Sequence, residues 1–530
     1  MAKKTAAPKA PAKSKSKTKA PAKSSAAPQT KVTRPPAEDT YRVRIRMYQH
    51  GLGDCFLLSF PRGGGQFSHV MIDCGVILGT VEPGAVMTRV AQDIKDTTGG
   101  KVDVLVITHE HWDHLSGFDS SQARAIFKDI DFGALWLAWT EDDKNPLAAR
   151  LRIEREKKKK AAQAAKKLAT SRGLHKQAAR MAGLLGFFGA RAADDGLSGE
   201  DEDSGGGTGG ALNFLKKKTF PTILETGGAP LSIPGAKGVR VYVLGPPVDE
   251  SALKKTKPAP GEGYAFDANA IGLTDAFLAA VDPASKAAAE SAQPFPAAVR
   301  RSLSHLPSWL LHRSPHLPPL RHGLGSYLKP HNQWRSIDDA WLGMGERLAL
   351  QLDNATNNTS LVLAFELEDT HEVLLFVGDA QAGNWRSWES LKWRVKDPAG
   401  DRRTVTSADL LKRTVFYKVG HHGSDNATMR EKGLELMTST RLMAVIPVDT
   451  RVAHDVKRWT HMPLPAIRTR LEHKCATVFQ SDKAPFRGAN APKMRWRQSP
   501  EKFDVRMKIG KTRKTVQTVR QQSLYTDCYL

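Results

Sequence analysis

The sequence predicts an α/β fold laid down in two stretches, 41–141 and 341–485, with a long insertion between them. Two observations carry this expectation. Short apolar segments, some with period-two alternation, recur in both stretches and are punctuated by glycine turns and helical segments. From about 142 to 340 that patterning gives way to Ala-, Lys-, Pro- and Gly-rich chain. A chain of 530 residues has room for about two to four domains.

Residues 1–40 hold nine lysines and one arginine among mostly Ala, Pro, Ser and Thr, with no aromatic residue. Such a segment buries too little apolar surface to offset the entropy of ordering, and it reads as a disordered basic tail. Tyr41, Val43, Ile45 and Met47 then alternate with Arg42, Arg44 and Arg46, the pattern of a strand. The turn Gly51-Leu52-Gly53-Asp54 leads into a strand over Cys55 to Phe60, and a third strand covers His69 to Cys74. Three strands joined by glycine turns predict an antiparallel opening to a sheet. Ala85 to Asp96 fits a helix, Val102 to Thr108 a buried strand, and Ile126 to Trp139 a short helix followed by a strand.

Within the insertion, Leu147 to Met181 is strongly helix-forming, with Lys157 to Lys160 in a row, and Gly196 to Gly210 is an acidic, then glycine-rich loop. Val239 to Leu244 has strand character. Regular patterning returns with strands over Ser360 to Glu366, Val373 to Val377, Thr414 to Val419 and Leu442 to Val448, then a helix over Pro465 to His473. Residues 486–530 read as a basic C-terminal extension with edge strands at Phe503 to Ile509 and Thr515 to Val519.

The formal net charge is +24, and most of the excess lies outside the first forty residues. That balance favours polyanions: nucleic acid, anionic lipid or acidic protein; solubility with non-specific attraction is the bland explanation. No apolar run approaches the roughly 20 residues of a membrane helix, and the N-terminus has no apolar core of a secretory signal. Cys55, Cys74, Cys475 and Cys528 form no CxxC pair, so a structural zinc knuckle is not expected. Four scattered thiols suit a reducing compartment, and the cytoplasm is the expected location.

The most informative segment is Thr108-His109-Glu110-His111-Trp112-Asp113-His114, directly after an apolar strand. Imidazole and carboxylate together suit zinc, manganese or iron. At a strand end His109 and His111 share a side. A following turn lets Asp113 and His114 face a neighbouring position, so one segment can serve two adjacent metal ions. Trp112 is expected to pack beneath the loop.

This HxHxDH pattern resembles the signature of the metallo-β-lactamase superfamily, and the other marks of that family follow in order. Asp73, in Val70-Met71-Ile72-Asp73-Cys74-Gly75, matches an early aspartate that buttresses the metal loop. Asp379, in Phe376-Val377-Gly378-Asp379-Ala380, matches a bridging carboxylate, and His421-His422-Gly423-Ser424 matches a late histidine ligand. Within the superfamily the chain is similar to the hydrolase domain of competence DNA-uptake proteins (ComEC type). The matching segments are Gly51-Leu52-Gly53-Asp54-Cys55-Phe56-Leu57-Leu58, Asn357-Asn358-Thr359-Ser360-Leu361-Val362-Leu363, Lys418-Val419-Gly420-His421-His422-Gly423-Ser424, and Val448 with His461-Met462-Pro463. The likeness runs from about 41 to 475 and skips the insertion. Met462 interrupts the usual His-Pro pair, and no channel helices accompany the motifs.

The resemblance implies a four-layer αββα sandwich and a centre for two divalent metal ions, zinc first and manganese second. It assigns His109, His111 and Asp379 to the first ion, and Asp113, His114, Asp379 and one of His421 or His422 to the second. Strand alternation lets only one of that pair face the metal. Asp113, Asp379 and His461 are the implied catalytic residues; Asp54, Asp73, Asn358, Ser360 and Ser424 support the site or contact substrate. No histidine occupies the third position on the first ion, where Asn357, Asn358 and Ser360 stand instead. His50 could lie near the site; His371, and His305, His312, His316, His322 and His331 in the insertion, are expected at the surface.

The implied chemistry is hydrolysis by a hydroxide shared between the ions. Together with the charge, the ComEC-type likeness favours phosphodiester bonds of nucleic acid or a related phosphate ester. Two other expectations stand beside it: a hydrolase of a small lactone or thioester, and a nucleic-acid-binding protein with a vestigial metal site.

Overall fold

The computed structural model describes residues 37, 40–171, 173–189, 206–259, 262–263, 342–396, 400–457, 459–489, 492, 494–500, 502–509 and 516–530. Nearly all of the expected basic tail, most of the Gly196–Gly210 loop, and the histidines from His305 to His331 lie outside them.

Sixteen of the strands among the described residues build two large sheets. They are β1 (Arg44–Tyr48), β2 (Cys55–Gly63), β3 (Gln66–Cys74), β4 (Val104–Val106), β5 (Leu135–Ala138), β6 (Pro221–Leu224), β7 (Leu231–Ser232), β8 (Val239–Gly245), β9 (Val362–Leu367), β10 (Val373–Phe376), β11 (Thr414–Lys418), β12 (Met443–Ile446), β13 (Thr477–Gln480) and β14 (Lys483–Arg487). β15 (Arg495–Gln498) and β16 (Tyr525–Tyr529) follow. One eight-stranded sheet has the order β15-β16-β1-β2-β3-β4-β5-β6, and the other β14-β13-β12-β11-β10-β9-β8-β7. Both are mixed. β1, β2 and β3 pair antiparallel as the glycine turns predict, while β3 through β6 pair parallel. In the second sheet β10 through β13 are parallel and the flanks antiparallel.

The sheets pack face to face. Phe56, Leu58 and Phe60 of β2 point into a shared core with Phe365, Phe376 and Phe416 of the second sheet, while Cys55 and Leu57 point the other way. This is the period-two pleat at work. Phe56 meets Phe376 edge to face, with ring centroids 5.4 Å apart.

Helices cover the outer faces. α1 (Pro83–Thr98) starts on a proline and ends at Gly99 in the left-handed region, a conformation that costs glycine least. It packs Val86, Val90 and Ile94 on the first sheet, beside α2 (Ser121–Lys128). From the insertion come α3 (Pro146–Ser171), α4 (His175–Leu185) and α5 (Thr208–Lys218), so the expected single helix over 147–181 is broken at Gly173. α6 (Leu342–Asn357) packs on α3 and α4 around Ala162, Leu185 and Ala349. α7 (Ala382–Ser387), α8 (Ser407–Lys412) and α9 (Pro465–Lys474) cover the second sheet.

Two parts of the expected layout change. The stretch 142–340 supplies β6, β7 and β8 to the two sheets, so it is not wholly an insertion outside them. The C-terminal extension is also built in: β16 lies between β15 and β1, bonded along both edges. The expected edge strands form a separate ribbon, Lys502–Ile509 against Val516–Ser523. No helix among the described residues is long and apolar enough to cross a membrane.

Candidate metal centre

The centre lies beyond the carboxyl ends of parallel strands in both sheets, the usual place for a ligand in an open α/β sheet. Asp73 is the penultimate residue of β3, the loop after β4 carries His109 to His114, and Asp379 and His421-His422 follow β10 and β11. Glycines allow the segments to meet. A Cβ on Gly75 would lie 2.4 Å from the carbonyl carbon of Asp113. At Gly378, where φ is +52°, it would press on Thr108 and Ser360.

Asp73 braces the loop that carries the histidines. One carboxylate oxygen accepts the Thr108 amide at 2.8 Å; the other accepts the Thr108 hydroxyl at 2.7 Å and His114 Nδ1 at 2.8 Å. Because the Thr108 hydroxyl donates to Asp73, it can only accept from His109 Nδ1, 3.1 Å away.

The same logic fixes the protons on four imidazoles. His109 and His114 carry theirs on Nδ1. His422 Nδ1 donates to the Pro447 carbonyl at 2.7 Å. The Ser424 hydroxyl donates to Asn426 Oδ1 at 2.9 Å, so it accepts from His421 Nδ1, also at 2.9 Å. In the neutral rings each Nε2 is then a bare acceptor.

These acceptors face other acceptors. His422 Nε2 lies 2.9 Å from Asp113 Oδ2, and His114 Nε2 lies 3.4 Å from Asp379 Oδ2. His421 Nε2 is 3.9 Å from that same Asp379 oxygen. His109 Nε2 instead accepts from His111 Nδ1 at 3.0 Å. His111 Nε2, Asp113 Oδ1, His114 Nε2 and Asp379 Oδ2 are buried without a hydrogen-bond partner. One atom each from Asp113, His114, Asp379 and His422 lies within 4.8 Å of the others, a spacing that can hold a metal ion.

Electrostatics agree. Burial would push the Asp113 carboxyl up, but His114 and His422 bring it down to about 2. Asp379 is held well below the carboxylate range against its burial by Lys418, His114 and His421. Burial lowers His109 and His111, and neighbouring imidazoles lower them further. His114 and His422 are raised despite burial by the carboxylates around them. In the chain alone, protons on these two rings supply the positive charge that the carboxylates demand.

His421 and His422 do not lie on a strand: both have positive φ, 44° and 54°. His422 joins the group with Asp113, His114 and Asp379, while His421 Nε2 stays 3.9 Å from Asp379 Oδ2. Strand alternation stops applying where β11 ends at Lys418.

Other assignments separate. Asp54 sits within the cluster, 2.5 Å from Lys418 Nζ. Ser360 accepts the Asp379 amide at 3.0 Å and so holds the metal-facing turn. The hydrogen bonds of Asn358 run away from the histidines: its amide donates to the carbonyls of Ala252, Leu253 and Lys255 and accepts from the Gln381 and Asn384 amides. His50 is buried with both ring nitrogens on backbone carbonyls, those of Tyr48 and Gly75. His461 is exposed in the turn before Pro463, and no hydrogen bond or ion pair joins it to the cluster.

Four participants had not been singled out. Lys418 is fully buried, bonding the Gly378 carbonyl at 2.7 Å and Asp379 Oδ1 at 3.2 Å. It stood inside a matched motif, but only the fold reveals its partners. Asp353 of α6 points Oδ1 at His111 Nε2, 3.8 Å away. Phe187 and Phe188, after α4, lie on His111 with ring centroids 5.2 and 5.0 Å away, and Phe187 stacks on Trp459. Neither Asp353 nor the two phenylalanines sat in any local pattern that points to a metal.

No family model matches the chain, and no curated protein or solved structure matches it either.

Proposed function

We propose that this chain is a metal-dependent hydrolase of the metallo-β-lactamase type that cleaves phosphodiester bonds of nucleic acid or a related phosphate ester. The observation that carries the reading is the buried set of acceptors turned on one another at Asp113, His114, Asp379 and His422. Acceptors so placed repel unless a cation or protons lie between them. Charge supports cations here. Asp54, Asp73, Asp113, Asp353 and Asp379 are buried in and around the cluster, with Lys418 paired to Asp54 and Asp379, and divalent ions would replace the protons that His114, His422 and Asp353 hold in the metal-free chain. His109 and His111 would serve one ion, and Asp113, His114 and His422 the other, with Asp379 and His421 between them. Zinc suits this nitrogen and oxygen donor set, with manganese second.

Such ions, when bound, would acidify water and offset negative charge gathering on a phosphoryl oxygen. The chain's own residues set the geometry. Asp73 and Ser424 orient imidazoles, Ser360 and Lys418 hold Asp379, and Asp113 stands where it can orient a nucleophile's proton. The net charge of +24 favours a polyanionic substrate and makes its capture sensitive to salt.

The test uses the full chain stripped of metal and reloaded with zinc or manganese. Metal content is measured, and DNA, RNA and bis(4-nitrophenyl) phosphate are offered as substrates beside Asp113→Ala. Metal uptake with cleavage that disappears in the variant is expected. A loaded chain that leaves all three substrates untouched would sink the phosphodiester reading. The closed aromatic cover of Phe187 and Phe188 favours a second reading, a small lactone or thioester. Salt-insensitive turnover of such a compound would mark it.

A further inference from the structure

Each imidazole of the cluster has one nitrogen turned inward and one outward. The outward nitrogens of His109, His114, His421 and His422 are bonded to Thr108, Asp73, Ser424 and the Pro447 carbonyl respectively. His111 differs from the other four. Its Nδ1 faces His109 Nε2 at 3.0 Å, and its outward Nε2 is buried with no hydrogen bond. The nearest carboxylate oxygen to it is Asp353 Oδ1, 3.8 Å away, itself buried and unpartnered. The other Asp353 oxygen accepts from Asn357 Nδ2 at 3.4 Å, one helical turn on along α6.

We infer that Asp353 is the positioning residue for His111. A movement of under about 1 Å closes the gap to hydrogen-bond length. With an ion in place of the proton that His111 Nδ1 now donates to His109, His111 would carry its proton on Nε2, donate it to Asp353 and turn the Nδ1 lone pair beside that of His109. The arrangement copies the one already closed between Asp73 and His114. A carboxylate behind a ligating imidazole fixes its tautomer and ring angle and makes the inward nitrogen more basic. Phe187 and Phe188 pack on the His111 ring and shield this contact from water, which strengthens it. The first ion lacks a third histidine, so the precision of His111 matters more there than at a fully ligated site. This inference rests on the two-ion reading above.

The experiment takes the metal-free full-length wild type, Asp353→Ala, Asp353→Asn and His111→Ala, and titrates each with Co2+. Uptake is read by elemental analysis and geometry by visible ligand-field absorption. Wild type is expected to bind two equivalents; if it binds none, the two-ion reading itself fails and this inference falls with it. Asp353→Ala is expected to keep both equivalents but to bind one about 10–100-fold more weakly, with a changed absorption band. Asp353→Asn should lose less, because its amide oxygen still accepts from Nε2, and it serves if the alanine variant does not fold. In a His111→Ala background, Asp353→Ala should cost nothing further. Loss of a whole equivalent in Asp353→Ala would make Asp353 a ligand and overturn the positioning role. Unchanged affinity and spectrum would overturn it too, with the two-ion reading intact.

Discussion

At His114, burial opposes the imidazolium, yet Asp379, Asp73, Asp113 and Asp54 outweigh it and raise its pKa well above 6.5. His422 is raised in the same way. A base raised on folding stabilises fully below its unfolded pKa, and that contribution is lost as pH rises through the folded value. Asp353 is raised by burial, Asp113 and Asp379, so its ionisation also costs stability as pH climbs. Asp113 and Asp379 are depressed and work in the opposite sense, losing their contribution in acid. The metal-free chain should therefore melt at progressively lower temperature as pH rises above 6.5. Bound zinc should flatten that slope, because metal replaces the protons. Calorimetry with and without chelator checks this, and parallel curves would contradict it. Asp113→Ala should weaken metal binding by at least about 100-fold, the upper end of what outer partners cost. Equilibrium dialysis against zinc measures it.

Helix α3 is tied to the metal loop by a buried ion pair. Arg155 reaches Glu110, between His109 and His111, at 2.5 Å and lies 3.8 Å from Glu141. Thr208, at the start of α5, donates to the same Glu110 at 3.1 Å. Two helices of the insertion thus grip the segment that presents the histidines. Arg155→Met would strand two buried carboxylates and should cost about 3–5 kcal/mol in urea unfolding. Adding Glu110→Gln should recover part of that loss. An equal loss in the single and double variants would show that the pairing is not the cause. The helical character of 147–181 was legible from composition, but its grip on Glu110 was not. Nothing in a Lys- and Ala-rich run says which of its arginines meets a carboxylate more than 40 residues earlier.

Across the whole molecule, β16 closes the first sheet. It pairs with β1 from Arg44↔Tyr529 to Tyr48↔Tyr525, joining the two ends of the described fold. Arg46 of β1 also pairs with Asp527 of β16 at 2.7 Å in the interior. Removing residues 525–530 would open backbone donors and acceptors along β1 and leave Arg46 without the Asp527 carboxylate, keeping Asp93 and Thr97. The truncated chain should be aggregation-prone and lack a cooperative melt, which light scattering and calorimetry can follow. Charge is likewise a property of the whole chain. Polynucleotide cleavage should fall steeply between about 50 and 200 mM salt, while cleavage of a small diester changes little. Equal salt dependence would argue against a polyanion as substrate.

What the sequence by itself determined is whatever a short window can encode. The alternation of β1, the apolar run of β2 and the close spacing of His109, His111, Asp113 and His114 are local, and each was readable. The later segments with Asp379 and His421-His422 were readable through resemblance. Only the tertiary structure decided which groups meet. Lys418 among buried carboxylates, Asp353 behind His111, Phe187 and Phe188 over the site, and β16 against β1 all join residues far apart in the chain. It also decided the backbone at His421 and His422, where two left-handed residues take the segment off the strand pattern. Metal donors must converge in space, and periodicity reports only which face of its own element a residue occupies.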